Sequence, residues 1–247
     1  MERGEYERLA AAEERMWWFR GLHANLIAAF IRASTTAPRR TILDAGCGTG
    51  GLLLRLAKRL PALDSIGLEL DRGAASLARA KSGRPICVGS VDRLPFATAS
   101  FDAIMSADVL CHRGVDESAA LAGFYDCLRP GGILLLNLPA YRWLYSEHDA
   151  AVDNARRYGR GEVARLLAAA GFADLRIRYW NSFLFPVMVM RRKLWRRGKA
   201  GAVSDVAILP TAVERVFGAI AALETRLLEA GISLPFGGSI LALAVKR

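Results

Sequence analysis

Leu43-Asp44-Ala45-Gly46-Cys47-Gly48-Thr49-Gly50-Gly51 joins a short apolar run, Thr41–Ala45, to an amphipathic segment, Gly51–Leu60. The run has the length and composition of a buried strand, and the segment has helical spacing. Between them the glycines let the chain turn sharply and leave no Cβ to block a ligand approaching the backbone. Gly46, Gly48 and Gly51 satisfy the GxGxxG spacing of a nucleotide-binding strand–turn–helix, so the turn alone leaves its ligand open. No Gly-Lys-Ser/Thr follows it, which excludes a P-loop.

Outward from this turn, strand and helix patterns alternate. Strands are expected at Asp64–Leu70, Pro85–Val88, Phe101–Ser106, Ile133–Leu138, Leu175–Trp180 and Ser239–Lys246, with helices at Arg72–Ala80, Glu117–Leu128 and Arg160–Ala170. Arg129-Pro130-Gly131-Gly132 reads as a helix stop and turn. Such alternation predicts a Rossmann-like α/β fold, a seven-stranded, mostly parallel sheet covered by helices on both faces. Glu5–Ile31 reads as one helix and carries Met16-Trp17-Trp18-Phe19. The expected layout is an N-terminal helical lid over 1–36, the nucleotide-binding body over 37–180 and 239–247, and a helical cap inserted over 181–238.

At 247 residues and 53% hydrophobic, the chain can bury a large core. Its longest apolar runs, around Ile133–Leu138 and Phe183–Met190, are short of the ~20 residues that span a bilayer. The charged N-terminus lacks the apolar stretch of a secretory signal, which gives a cytoplasmic reading. Four cysteines without a CxxC pair read as reduced, mostly buried thiols, and His23, His112 and His148 share no ligand spacing, so no metal is expected. The net charge of +10 is uneven: Leu175–Ser204 holds eight basic residues and no acidic one. This block, next to the apolar 183–190 stretch, suggests peripheral contact of 183–199 with an anionic membrane or a lipid-like acceptor. The alternative is a solvated basic helix end.

Two carboxylates narrow the ligand. Asp44, just before the first glycine, would repel a pyrophosphate and suits the cationic aminocarboxypropyl end of S-adenosylmethionine. Glu69, ending the second strand about 20 positions after the turn, is placed to hold ribose hydroxyls, a device that NAD sites share. The segment Gly89-Ser90-Val91-Asp92-Arg93-Leu94-Pro95-Phe96, with Ser100-Phe101-Asp102-Ala103-Ile104, resembles the GDAxxLPFxxxSFDxI signature of class I S-adenosylmethionine-dependent methyltransferases. Asp108-Val109-Leu110-Cys111-His112 and Leu128-Arg129-Pro130-Gly131-Gly132 stand where that family has its later motifs. The resemblance implies S-adenosylmethionine as cofactor and S-adenosylhomocysteine as product. It places Gly46 and Gly48 against the methionine portion, Glu69 at the ribose and residues near Ser90–Asp92 at the adenine, and Asp44, Cys47, Gly50, Leu70, Val91, Asp92 and Ala107 are the further expected cofactor contacts. Ser90 stands where the family has Asp, which leaves the adenine contact to the Val91 backbone or to Asp92.

The acceptor side is expected in the loops after the fourth and fifth strands. Tyr141-Arg142-Trp143-Leu144-Tyr145-Ser146-Glu147-His148-Asp149, followed by Arg156-Arg157-Tyr158, is too polar for core. It resembles the S-x-HD…RRY segment of a bacterial methyltransferase subgroup that also has WWF, NSFLFP and LPFG-S segments. These stand here at Trp17–Phe19, Asn181–Pro186 and Leu234–Ser239. His148 is the expected base or acceptor orienter, supported by Asp149 or Tyr158, with His112 near the methyl. Trp18, Tyr141, Arg156 and Arg157 are the expected acceptor contacts. The reading is methyl transfer to a small-molecule or lipid-linked acceptor, with oxygen favoured because a His-Asp base suits a hydroxyl; N- or C-transfer stays open. DNA is not an expected partner. An RNA enzyme lacks support here: no Asn/Asp-Pro-Pro-Tyr tetrad or Pro-Cys pair is present. Asp44 and Leu94-Pro95-Phe96 argue against an NAD(P) oxidoreductase, and the intact turn argues against a non-catalytic scaffold.

Overall fold

The structure, a computed structural model, describes residues 10–35, 40–194 and 209–247. Seven strands form one sheet: β1 (Thr41–Ala45), β2 (Asp64–Glu69), β3 (Ile86–Val88), β4 (Phe101–Ala107), β5 (Leu128–Pro139), β6 (Phe172–Trp180) and β7 (Ser239–Lys246). Their order is β3-β2-β1-β4-β5-β7-β6. β1 to β5 run parallel, and β7 lies antiparallel between β5 and β6.

The period-2 alternation of each strand assigns its side chains to the two helical layers. Ile42, Ala103, Met105, Ile133 and Leu135 face α1 (Trp17–Ala33) and α2 (Gly51–Arg59), which contribute Leu22, Leu26, Ile27, Phe30, Leu52 and Leu56. Leu43, Ile104, Leu134 and Leu136 face α4 (Glu117–Cys127) and α6 (Arg160–Ala169) through Ala120, Leu121, Phe124, Val163 and Leu167. Burial on both faces makes the strands near-continuous apolar runs, and each fully buried Leu, Ile or Phe contributes about 1.5–3 kcal/mol. Between β2 and β3, α3 (Arg72–Ser82) starts where Asp71 accepts the Gly73 and Ala74 amides, an aspartate N-cap.

Two expected boundaries shift. The N-terminal helix is interrupted: residues 10–15 are helical, Met16 is extended, and α1 begins at Trp17. The Trp17 amide donates to Glu214 Oε2 at 2.7 Å, so a carboxylate from α8 (Thr211–Glu229), almost 200 residues away, caps this helix. The Arg129–Gly132 stretch, expected as a turn, is incorporated into β5, with a register shift opposite Phe101/Ala103 and Gly131 at φ +74°. The remaining helices are the short α5 (Glu147–Ala151) and α7 (Phe185–Leu194). Both α7 and α8 lie between β6 and β7 in the chain. Residues 1–9 of the expected lid, and the 195–199 end of the expected membrane segment, lie outside the described residues. No described helix is long and apolar enough to cross a membrane.

Candidate active site

The strand order reverses between β1 and β4, and the crevice outside the carboxyl ends at such a switch point is the general ligand position in open α/β sheets. One wall is the glycine turn. Gly46, Gly48 and Gly50 have φ of +81°, +54° and +84°, a region that L side chains rarely adopt. A Cβ on Gly46 would lie 2.3 Å from Val109 Cγ2, so the residue after Asp108 packs directly on the turn.

Asp44 is 2% exposed, and its Oδ2 has no hydrogen-bond partner among the described residues. Burial, then the neighbouring Glu13 and Glu69 carboxylates, push its carboxyl up to about 8. Glu69, half-buried, accepts the Gly48 amide at 2.9 Å and the Asp71 amide at 3.0 Å, which ties the end of β2 to the turn. Burial raises its carboxyl as well. Glu13, from the helical residues 10–15, accepts from Thr49 Oγ1 and from Lys81 Nζ at 3.0 Å, beside Gly48 and Gly51. Sequence reading missed Glu13, since nothing in its own segment ties it to a turn 36 residues on. Three carboxylates with one paired lysine make this cradle hostile to a pyrophosphate and favourable to a cation. Asp44's open acceptor and the side-chain-free approach at Gly46 and Gly48 therefore fit the ammonium end of S-adenosylmethionine, with Glu69 beside the turn.

The other expected cofactor residues line the same end of the sheet. Cys47 is buried among Leu53, Ala75, Ala78 and Ile86, and Leu70 is 70% exposed at the lip after Glu69. Val91 is buried, and Asp92 Oδ1 accepts the Asp116 amide at 3.1 Å, joining the segment after β3 to the start of α4. Ala107 is half-buried and pairs with Asn137.

The loop after β5 is held by its own charged groups. Asp149 is fully buried, caps α5 by accepting from the Ser146 amide, and pairs with Arg157 at 2.8 Å. Arg157 also donates to the Ala140 carbonyl. Arg156 donates to the Leu110, His112 and Val115 carbonyls and meets Glu117 at 3.3 Å. The Tyr158 hydroxyl lies 2.7 Å from Glu117 Oε1 and 2.9 Å from the Leu110 carbonyl, and burial followed by Glu117 pushes its phenol up. These groups bind the 140–158 loop to the segment after β4. His148 is half-buried on α5, and His112 bridges Asn154. Trp18 stacks on Trp180, and Tyr141 stacks on Tyr179 at 5.2 Å and lies 5.5 Å from Phe185.

Three strands in succession leave the sheet through non-glycine residues in the left-handed region: Asp108 (φ +54°) after β4, Tyr141 (+61°) after β5 and Asn181 (+58°) after β6. Such strain concentrates at functional sites. Asp108, absent from the sequence-based candidates, lies at the crevice, with both carboxylate oxygens 3.0 Å from Asn137 Nδ2. Burial, opposed by the Asn137 amide and by Arg157 and reinforced by Asp149, pushes it up to about 7. The four cysteines are free, and no metal-holding group of His, Cys, Asp and Glu occurs among the described residues.

With this geometry in place, the likeness to known proteins is informative. Residues 43–136 match a family described as "Methyltransferase domain". The chain is 32% identical over 145 residues to a malonyl-[acyl-carrier protein] O-methyltransferase of Dechloromonas aromatica, covering 56% of this chain and 53% of that protein. It is 34% identical over 114 residues to a demethylmenaquinone methyltransferase of Deinococcus radiodurans, covering 44% and 46%. The chain thus spans about half the length of the curated relatives it matches. An S-adenosylmethionine-dependent methyltransferase from Thermotoga maritima shares the fold, with a TM-score of 0.61 at 19% identity over 99% of this chain and 96% of that one. The matched residues run from β1 into β5 and contain the glycine turn, Glu69 and Asp108. They match a methyltransferase domain, on a fold shared with an S-adenosylmethionine-dependent methyltransferase.

Proposed function

We propose that the protein transfers a methyl group from S-adenosylmethionine to an oxygen of a small-molecule or lipid-linked acceptor. The observation that carries this reading is the switch point between β1 and β4, where the buried Asp44 Oδ2 has no hydrogen-bond partner among the described residues. When bound there, the cofactor supplies an electrophilic methyl on a good leaving group. The chain's own tasks are then to hold the cofactor, align the acceptor and exclude water. Asp44 and the turn bind the methionine end, Glu69 holds the ribose, and the braced 140–158 loop forms the acceptor wall.

Oxygen is favoured by the match to a malonyl-carrier O-methyltransferase, whose acceptor is also carrier-linked. A lipid-linked acceptor is supported by an aromatic cluster beside that wall. Tyr141, Trp143 and Phe236 surround Phe185, and Trp143 (55%), Phe183 (45%), Val187 (44%) and Met190 (55%) are exposed next to it. The test is transfer of a 13C-methyl group from S-adenosylmethionine into separate polar, lipid and carrier-protein fractions. Labelling of a lipid or carrier species with the carbon shift of an O-methyl group is expected. A C-methyl or N-methyl shift would overturn the oxygen assignment. Flotation with anionic vesicles at low salt tests the surface, and absence of binding would remove the membrane contact.

A further inference from the structure

We propose that Asp108 is the group that receives the acceptor's proton during transfer. This rests on the methyltransferase reading above and assigns the base to a residue outside the His-Asp segment.

Asp108 is the first residue beyond β4, at the switch point, and Val109 packs against Gly46, so Asp108 borders the crevice opposite the glycine turn. The second element is the way it is held. The Asp108 amide donates to the Asn137 carbonyl, and the Asn137 side chain donates back to the carboxylate. Asn137 is itself fixed: it is fully buried, and Trp180 Nε1 donates to its Oδ1 at 2.6 Å. Three strands, β4, β5 and β6, thus contribute to aiming one carboxylate. The Asn137 amide occupies one direction at each oxygen, and the remaining lone pairs are open to accept a proton. The third element is the backbone, which leaves β4 at φ +54° on Asp108, a left-handed turn that aspartate adopts more readily than most residues.

Two other pairs of titratable groups near the loop are committed to each other. Asp149 is paired with Arg157, and Tyr158 shares its hydroxyl with Glu117. Charged groups acting on Asp108 are Arg157 and Asp149 from the loop after β5, while the Cys111 thiol donates to the Asp108 carbonyl. In the step itself, the acceptor oxygen gains the methyl carbon and loses its proton to Asp108. The sulfur keeps the electron pair of the broken carbon–sulfur bond.

Sinefungin tests this without knowledge of the acceptor, because it carries an ammonium where the methyl sulfonium stands, whereas S-adenosylhomocysteine has a neutral sulfur there. Calorimetric titration of the full chain with each should show sinefungin binding about tenfold or more tighter, the scale of one charge-assisted hydrogen bond. Asp108→Asn should abolish that preference and leave S-adenosylhomocysteine affinity within about twofold. Asparagine tolerates the left-handed conformation and can still accept from Asn137, so the variant keeps the backbone. On the unaltered protein, the preference should grow from about pH 5.5 to about pH 8.5 as Asp108 ionises. Asp44 acts on the amino-acid end common to both compounds and cancels from the ratio. A preference unchanged by Asp108→Asn, or one flat with pH, would overturn the proposal. Failure of the unaltered protein to bind S-adenosylhomocysteine would instead overturn the methyltransferase reading itself.

Discussion

The two ends of the crevice treat charge in opposite ways. At the cofactor end, Asp44 Oδ2 has no hydrogen-bond partner among the described residues, and Glu13 and Glu69 oppose its ionisation. At the acceptor wall, Asp149 is no less buried, yet Arg157 neutralises it and the Ser146 cap satisfies it. Completed pairs build walls, and incomplete ones await a ligand. Asp108 lies between these extremes: hydrogen-bonded by a neutral amide and still able to titrate near neutrality.

Breaking the completed pair should have the largest effect. Asp149→Ala leaves a buried guanidinium uncompensated, and a loss of about 3–5 kcal/mol in denaturant unfolding is expected. A loss below about 1 kcal/mol would mean that the loop does not depend on this pair.

Asp44→Asn should do the reverse to the two properties at the other end. S-adenosylhomocysteine affinity should fall about ten- to a hundredfold, as one charged hydrogen bond is removed. The ligand-free protein should nevertheless become more stable in alkaline solution. The sign follows from the raised pKa: folded Asp44 holds its proton up to about 8, whereas the unfolded residue loses it near 4. Stability therefore declines as pH rises between these values, and an amide removes the decline. Thermal unfolding of both proteins on either side of neutrality measures it, and parallel curves would contradict the unpaired state of Asp44.

A smaller effect, of about 2 kcal/mol, is expected from Asp102→Asn. Although burial opposes ionisation, the Thr41 and Arg40 amides, Arg129 and the Thr41 hydroxyl hold Asp102 at about 2. Its contribution is present above the unfolded value and is lost as pH falls toward about 2. The variant should thus lose its deficit in strong acid, as followed by acid unfolding. His148→Ala should change stability least, by about 0.5 kcal/mol or less for a half-buried residue on a short surface helix. It should also leave the sinefungin preference intact. Loss of that preference in His148→Ala would return the proton to the histidine.

The sheet was largely legible because its strands are buried on both faces and its turns carry glycine or Asp caps, signals that lie within each segment. Thr41–Ala45 and Ser239–Lys246 coincide with β1 and β7. What escaped depends on partners distant in the chain. The break at Met16 is set by Glu214, and the aim of Asp108 by Asn137 and Trp180. Asp44 and Glu69 were legible as neighbours of the turn because their positions follow from spacing to it. Arg156, Arg157 and Tyr158 attracted attention as polar residues, but their hydrogen bonds run to Leu110, Ala140 and Glu117, contacts that no local pattern encodes. A one-sequence clue to Asp108 did exist, an acidic residue immediately after an apolar strand at the switch point.

The proposed β1–β4 crevice receives a cationic nucleoside and rejects a dinucleotide. Isothermal titration of the unaltered protein with S-adenosylhomocysteine and, separately, NADH tests it directly. The account predicts saturable one-to-one binding of S-adenosylhomocysteine, weakened in Asp44→Asn, and no heat of binding with NADH. Saturable NADH binding, or S-adenosylhomocysteine binding indifferent to Asp44→Asn, would contradict it.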